Sequence, residues 1–168
     1  VQAGDLRQAI LIADVARALD APEIIEYWKS APYLLNFMRD YALKSAMKEK
    51  EGTTPSPALA AALVAAKEAC LDHGDLDTYK PIEPANARMR AVMEDVFRDG
   101  LEQNLWIPPA LPYYGETSES ARPTKALIFS SWAMVPDAIA ATLSYEAERR
   151  MGAGETGRGY FDQKRPRP

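Results

Sequence analysis

The sequence is poor in the side chains from which disulfides and metal centres are built. Its 168 residues include a single cysteine, Cys70, and a single histidine, His73. One cysteine excludes an internal disulfide. A metal site built from nitrogen and sulfur ligands needs more ligands than these two residues supply, so we assign no metal-binding residue. The low cysteine content favours a reducing, cytoplasmic location.

Long apolar runs are also absent, and we expect no N-terminal leader. Charged residues interrupt each apolar stretch well before about 18 residues, the length that a membrane-spanning helix requires. No stretch near the start has a basic flank, an apolar run and a cleavage site in that order, so we predict neither a secretory signal nor a membrane partner. Because the first residue is Val1 rather than Met, we expect that either processing or truncation removed the true start. We favour truncation, so that the sequence is a piece of a longer protein.

An excess of positive charge is missing as well. Lys and Arg number 20 against 24 Asp and Glu, which gives a formal net charge of −4. Free-standing nucleic-acid binders are usually basic, because neutralising phosphates supplies most of their affinity. We therefore expect this chain alone to bind nucleic acid weakly or not at all. With 47% hydrophobic and 26% charged residues, the composition is nevertheless that of a globular protein.

What the sequence does contain is helical periodicity, which predicts a mainly α-helical chain with five helical segments. The first ends before Pro22, and Pro136 and Asp137 suit the first turn of the last. Apolar faces with helical spacing lie within Leu11–Leu19, Leu34–Ala42, Leu63–Leu71, Met89–Phe97 and Ile139–Ala147.

A connector and a short strand interrupt the helical pattern. Pro108 and Pro109 exclude both a helix interior and a central strand, so we predict an extended connector there. Ala126–Phe129 is wholly apolar and predicts a short buried strand, which the last helix follows. A strand of a parallel sheet needs neighbouring strands, and no segment after Gly152 is predicted to form the next strand. We therefore expect the sequence to stop just after a second domain has begun.

Other patterns that look like functional motifs have simpler explanations. Residues 152–157 match the dinucleotide fingerprint, but a helix precedes them and a basic tail follows, which is the wrong context. His73 is best explained as a solvated loop histidine, and Cys70 as a small core residue. The sequence has no phosphate-binding loop and no acidic box after a strand. We therefore assign no catalytic residue and expect the chain neither to bind nor to hydrolyse ATP.

Paired carboxylates are predicted to lie on solvated helix surfaces. The pairs Glu94–Asp95 and Glu146–Glu148 have arginines at helical spacing on the same segments. Such spacing favours ion pairs along a helix rather than an acid–base pair for catalysis. The expected partners are Arg90, Arg98, Arg149 and Arg150.

Three stretches of the sequence are more specific, namely Tyr27–Met38, Asn104–Tyr114 and Thr124–Arg150. They contain the runs Trp-Ile-Pro-Pro, Lys-Ala-Leu-Ile-Phe-Ser-Ser-Trp and Ser-Tyr-Glu-Ala-Glu-Arg. This combination resembles the middle of large bacterial superfamily-2 helicase-like proteins related to the Swi/Snf ATPases. The second run is similar to motif IV, the first strand and following turn of the second RecA-like lobe. The resemblance covers most of the chain.

The resemblance implies a mainly α fold, with a helical bundle-like region followed by a single strand–helix unit of an incomplete RecA-like α/β lobe. The helical inter-lobe region would span residues 1–104 and the Pro-rich connector 105–123. The first strand and helix of the truncated second lobe would span 124–151, and a flexible basic tail 152–168.

The resemblance also implies a function for the longer parent protein. The parent would use ATP and Mg²⁺ as cofactors and couple ATP hydrolysis to translocation on, or remodelling of, nucleic acid. Its phosphate-binding loop, acidic box and arginine finger would lie outside this chain. The chain itself would hold no cofactor, and its partner would be the remainder of the parent ATPase. Its role would be to link and position the two motor lobes.

Ser130 and Ser131 are the candidate site residues. They follow the predicted strand at its C-terminal end, where parallel sheets place the loops that contact ligands. In the parent they would contact the nucleic-acid backbone. The alternative is that they cap the helix that follows them.

A second hypothesis is a self-standing helical adaptor. Such a protein would bind a protein partner through exposed aromatic residues, for which the candidates are Trp28, Tyr33, Tyr113 and Tyr114. The predicted strand should not stay unpaired, because backbone groups without hydrogen-bond partners on a buried strand cost free energy. We expect it to pair with Leu105–Ile107, with a copy of itself from another molecule, or with both, and so to cause self-association.

Overall fold

The computed structural model describes residues 1–21, 25–39, 41–98, 100, 102 and 127–152. Within these ranges the chain is mainly helical and contains no strand, so the predicted mainly α class is confirmed. The helices are α1 (Ala3–Ala18), α2 (Ile25–Ser30), α3 (Leu34–Phe37), α4 (Ala42–Glu49), α5 (Pro57–Ala66), α6 (His73–Asp77), α7 (Ala87–Val96) and α8 (Met134–Arg150), with a 3-10 turn at Lys67–Ala69 after α5.

Several predictions lie outside the described residues. They concern the connector at 105–123 with its two prolines, the tail beyond Gly152, and the aromatic residues Tyr113 and Tyr114. The potential neighbouring strand Leu105–Ile107 lies outside them too. These predictions, like the predicted domain boundaries, stay predictions.

Short polar side chains set the starts of three helices. Ser56 accepts a hydrogen bond of 3.2 Å from the backbone N–H of Leu59, and Pro57 occupies the first turn of α5. Asp72 caps α6 and Asn86 caps α7 by accepting backbone N–H groups at 2.9 and 3.0 Å. Such caps satisfy amide groups that have no partner within the helix, and proline is tolerated there for the same reason.

The predicted segment Leu34–Ala42 forms two helices rather than one. α3 ends at Phe37, Met38 is extended, and α4 begins only at Ala42. Tyr33 precedes α3 in the left-handed region with φ 57°. The bend between α3 and α4 points both apolar faces at the core, with Leu34, Met38 and Leu43 buried.

Three clusters of buried side chains form the core. The main cluster joins α1, α3, α4 and α5 around residues such as Ile12, Leu34 and Leu43. The second gathers three tyrosines and an isoleucine, and the third buries the apolar face of α7. α8 contributes to all three, through Met134, Val135 and Ala138, then Tyr145, then Ala147. The last helix therefore contacts all three clusters of the core.

The predicted burial of the strand segment is wrong for the described residues 127–129. They carry no strand pairing, and Leu127 and Phe129 are 84% and 89% exposed. A strand is buried only when a neighbouring strand and a covering layer are present, and none lies beside this segment in the described ranges. The predicted strand–helix unit is seen only as an unpaired segment followed by α8.

None of the helices in the described ranges is long and apolar enough to cross a membrane.

Candidate functional site

The most prominent surface feature is an apolar arm, defined as Leu127, Ile128 and Phe129. All three side chains are exposed, and they directly precede the turn that leads into α8. Three consecutive exposed apolar residues are costly to solvate and mark a surface that another element normally covers. The arm is therefore the best candidate contact surface in the part of the chain that the structure describes.

Ser130 and Ser131 lie between the arm and α8, and both are exposed. The Ser130 hydroxyl oxygen accepts a hydrogen bond of 3.1 Å from the backbone N–H of Trp132, which closes a tight turn. The N-cap residue of α8 is Ala133, without a side-chain cap. Capping of α8 by either serine is therefore not observed. The Ser130 O–H group can still donate to a ligand.

The start of α8 is anchored in the main core. Trp132 is half-buried against the main cluster, and Met134 and Val135 are buried within it. The residues next to the arm therefore have fixed positions, while the arm itself projects from this anchored turn.

The far end of α8 is joined to the loop after α6 through two tyrosines. The Tyr145 hydroxyl donates a hydrogen bond of 2.8 Å to the carbonyl of Lys80. The Tyr145 ring stacks on Tyr79, with centroids 5.9 Å apart and an interplanar angle of 14°. The Tyr79 hydroxyl donates to Oε1 of Glu148 at 3.2 Å. Burial raises the pKa of Tyr145 to about 12, so its hydroxyl keeps its proton at neutral pH.

Two tyrosines of this cluster have unusual backbone conformations. Tyr33 and Tyr79 have φ values of 57° and 53°. The left-handed region costs a residue with a Cβ roughly 1–2 kcal/mol, so the packing must offset that cost. Both rings are buried in the second cluster beside Tyr145. These conformations therefore turn two aromatic side chains into the core.

The position of Tyr33 corrects one prediction. It was expected to be an exposed aromatic residue for partner binding, but it is 6% exposed. Burial, with a smaller contribution from the charge of Glu83, raises its pKa to about 12. Trp28 is half-buried and packs against the main cluster rather than standing free in solvent. Two of the four aromatic residues of the adaptor hypothesis thus serve the core.

Glu146 corrects another prediction, since it is buried rather than on a solvated face. Its carboxylate accepts hydrogen bonds from Arg149 at 2.6 and 2.8 Å and from Arg150 at 2.9 Å, as the helical spacing predicted. Burial acts to raise the pKa of Glu146, but the two arginines outweigh it and hold the pKa below its usual value. Arg150 also lies over the Phe97 ring, 4.3 Å from the centroid, and so joins α8 to the end of α7.

The other predicted carboxylate pair lies on a solvated face as expected, but only one of its two expected arginine partners is confirmed. Glu94 and Asp95 are both exposed on α7, and Asp95 pairs with Arg98 at 3.2 Å. Arg90 pairs elsewhere, with Asp5 of α1. No sequence signal indicated the Asp5–Arg90 pair, because the two residues are far apart in the chain.

The lone histidine and the lone cysteine lie apart from the arm. His73 is exposed and is the first residue of the short helix α6 rather than part of a loop. Cys70 is half-buried after the 3-10 turn, and burial raises the pKa of its thiol. Among the residues that the structure describes, no group of histidine, cysteine and acidic side chains is arranged to hold a metal ion.

Comparisons with known proteins give no further guide. No family model, no curated protein and no solved structure matches the chain. The candidate site therefore has to be interpreted from its own residues.

Proposed function

We propose that this chain is a non-catalytic part of a helicase-like, nucleic-acid-dependent ATPase, in which it links and positions two motor lobes. The observation that carries the proposal is the exposed apolar arm directly before α8. An all-apolar segment followed by a helix is the order in which a parallel α/β lobe begins. In the longer protein, the remaining strands and helices of that lobe would cover Leu127–Phe129.

The packing of α8 supports a positioning role. Its first turn lies in the main core, while Tyr145 and Glu148 bond to Lys80 and Tyr79 near its other end. The buried Glu146 pairs with Arg149 and Arg150, and Arg150 lies over the ring of Phe97 at the end of α7. A lobe that begins with the arm and α8 would therefore be mechanically joined to the helical region, and a rotation of the lobe would be transmitted to it.

The two serines would have a separate role in the parent. Hydroxyl groups that follow the C-terminal end of a parallel strand lie where such sheets bind their ligands. Ser130 and Ser131 would donate hydrogen bonds to phosphate oxygens of the nucleic-acid backbone. ATP and Mg²⁺ would bind to the parent outside this chain, and the protein would act in the cytoplasm.

The adaptor hypothesis is less well supported by the geometry. It requires exposed aromatic residues, yet Tyr33 is buried and Trp28 packs against the main core. The exposed apolar arm, which that hypothesis did not use, is better explained by a missing lobe.

The coding sequence on either side of this chain tests the proposal. We expect a phosphate-binding loop and an acidic box upstream of Val1, and further strands with an arginine-finger motif downstream of Pro168. A reading frame that starts just before Val1 and stops just after Pro168 would contradict the proposal and favour the adaptor.

A further inference from the structure

An open groove lies between α4 and α5, about 540 Å³ in volume, and we call it the lysine groove. Its floor is apolar and its rim carries three lysines. The floor is formed by Leu19, Met47, Leu59 and Leu63, and the rim includes Lys44, Lys48, Lys50 and Glu51. The volume is within the range of protein sites that bind ligands or inserted side chains.

α5 extends the apolar surface of the groove. From Pro57 to Ala66 this helix contains no polar side chain. Its inner side packs against the main core through Leu59 and Ala66, but Val64 on its outer side is 78% exposed. A helix that is apolar on all sides is normally covered on all sides. The outer side of α5 therefore lacks a covering element among the described residues.

The charges on the rim have no ionic partners in the part of the chain that the structure describes. Lys44 and Lys48 lie one turn apart on α4, and Lys50 follows its last residue. Other exposed cations, such as Arg7, Arg17 and Arg39, pair with acidic residues at 2.7–3.0 Å. Three lysines against Glu51 make the rim locally positive on a chain whose formal net charge is −4.

We propose that the lysine groove binds an acidic amphipathic helix of a partner protein. The apolar residues of that helix would lie on Leu59, Leu63 and Met47, and its carboxylates would pair with the lysines. Lys44 and Lys48 are separated by about 6 Å along α4, the spacing of carboxylates at positions i and i+4 of a docked helix. The concave floor favours an inserted helix over a flat membrane surface. The proposal is independent of the one made for the apolar arm.

A designed peptide provides the probe. It is alanine-rich and has about 20 residues, because isolated helices shorter than about 12–15 residues are marginal in water. Leucine recurs at alternating three- and four-residue spacing, with glutamate beside each leucine. A second peptide has the same composition in scrambled order, and a third carries lysine in place of glutamate. Binding to the full chain is measured by fluorescence anisotropy at two salt concentrations. Of the three peptides, we expect only the first to bind, and we expect its affinity to be lower at the higher salt concentration.

Two matched charge-reversal variants locate the site. Lys44→Glu combined with Lys48→Glu should lower the affinity for the first peptide by about tenfold or more. Lys67→Glu combined with Arg88→Glu changes the net charge equally at exposed positions outside the groove and should leave the affinity unchanged. Circular dichroism and thermal unfolding check that both variants fold. In the unmodified chain, the amide NMR signals that shift when the peptide is added should belong to residues of α4 and α5. This measurement does not depend on whether the variants fold.

Four results would overturn the proposal. They are no binding of the first peptide, equal binding of the scrambled peptide, equal loss in both variants, or shifts that map away from the groove. Vesicles of phosphatidylserine and phosphatidylcholine are tested in parallel. Binding to them in place of the peptide would assign the groove to a membrane surface instead.

Discussion

The guanidinium of Arg90 on α7 holds the buried carboxylate of Asp5 on α1 through two hydrogen bonds of 2.6 and 2.8 Å. Asp5 also accepts the backbone N–H of Gln2 at 2.8 Å, and Arg90 donates to the carbonyl of Pro84 at 2.9 Å. Both carboxylate oxygens therefore have donors. This pair fixes the first helix of the chain to the seventh.

Replacement of Arg90 should strongly destabilise the fold. Arg90→Leu leaves the Asp5 carboxylate buried without its cation, and breaking a buried pair in this way costs roughly 3 kcal/mol. We predict a loss of that size in the free energy of unfolding, measured in urea. Arg88→Leu, at an exposed position two residues earlier, is the matched control and should change stability by less than about 0.5 kcal/mol. Equal effects of the two substitutions would show that the pair contributes nothing specific.

The same pair predicts a pH dependence. Hydrogen bonds from Arg90 lower the pKa of Asp5 from its usual 3.8 to about 2, against the opposing effect of burial. Because the folded pKa lies below the unfolded one, the stabilisation is present above about pH 4. It is lost as the pH falls from about 4 to 2. The stability difference between the unmodified chain and Asp5→Asn should therefore shrink over that interval. A difference that stays constant from pH 7 to 2 would exclude this linkage.

The hydroxyl of Tyr145 should contribute measurably to stability. Tyr145→Phe keeps the ring stacked on Tyr79 but removes the donor to the Lys80 carbonyl. A lost hydrogen bond of this kind costs about 1–2 kcal/mol. We expect that decrease in the free energy of unfolding, with the helical circular dichroism spectrum unchanged. Tyr79→Phe removes the longer bond to Glu148 and should cost less. The reverse order would contradict the proposed anchoring of α8.

The helices that the sequence predicted well are those with a sustained apolar period. α7 buries Met89 and Met93, and Phe97 directly after it is buried too, all on the face that the pattern indicated. α2 and α6 have only six and five residues, too few to show a period. The bend between α3 and α4 was missed because it depends on extended backbone at Met38 and Tyr41, which the apolar period does not report.

The side-chain environment was predicted only where it is local. The arginine partners of Glu146 lie three and four residues away on one helix, so their spacing indicated them. The burial of Glu146 depends on how α8 packs against distant parts of the chain, which helical spacing does not report. The Asp5–Arg90 pair likewise joins helices far apart in sequence. The arm Leu127–Phe129 was predicted to be buried because its composition suits a sheet interior, whereas burial requires neighbouring strands.

The apolar arm should make the chain self-associate. Exposed, unpaired apolar segments pair with one another when no other element covers them. We predict concentration-dependent dimers in sedimentation velocity, which Leu127→Glu combined with Phe129→Glu should abolish. Leu6→Glu combined with Ile10→Glu changes two other exposed apolar residues, on α1, and should leave the dimers intact. A chain that stays monomeric, or loses dimers equally in both variants, would show that the arm does not mediate pairing.

Hydrogen exchange of the arm tests the central claim most directly. The backbone amides of Leu127, Ile128 and Phe129 are compared between this chain, diluted until monomeric, and the proposed longer protein, expressed from the complete reading frame. If the arm is the first strand of a lobe, its amides should exchange fast in this chain. In the longer protein they should exchange at least roughly tenfold more slowly, because neighbouring strands would protect them. Equally fast exchange in both would contradict the account.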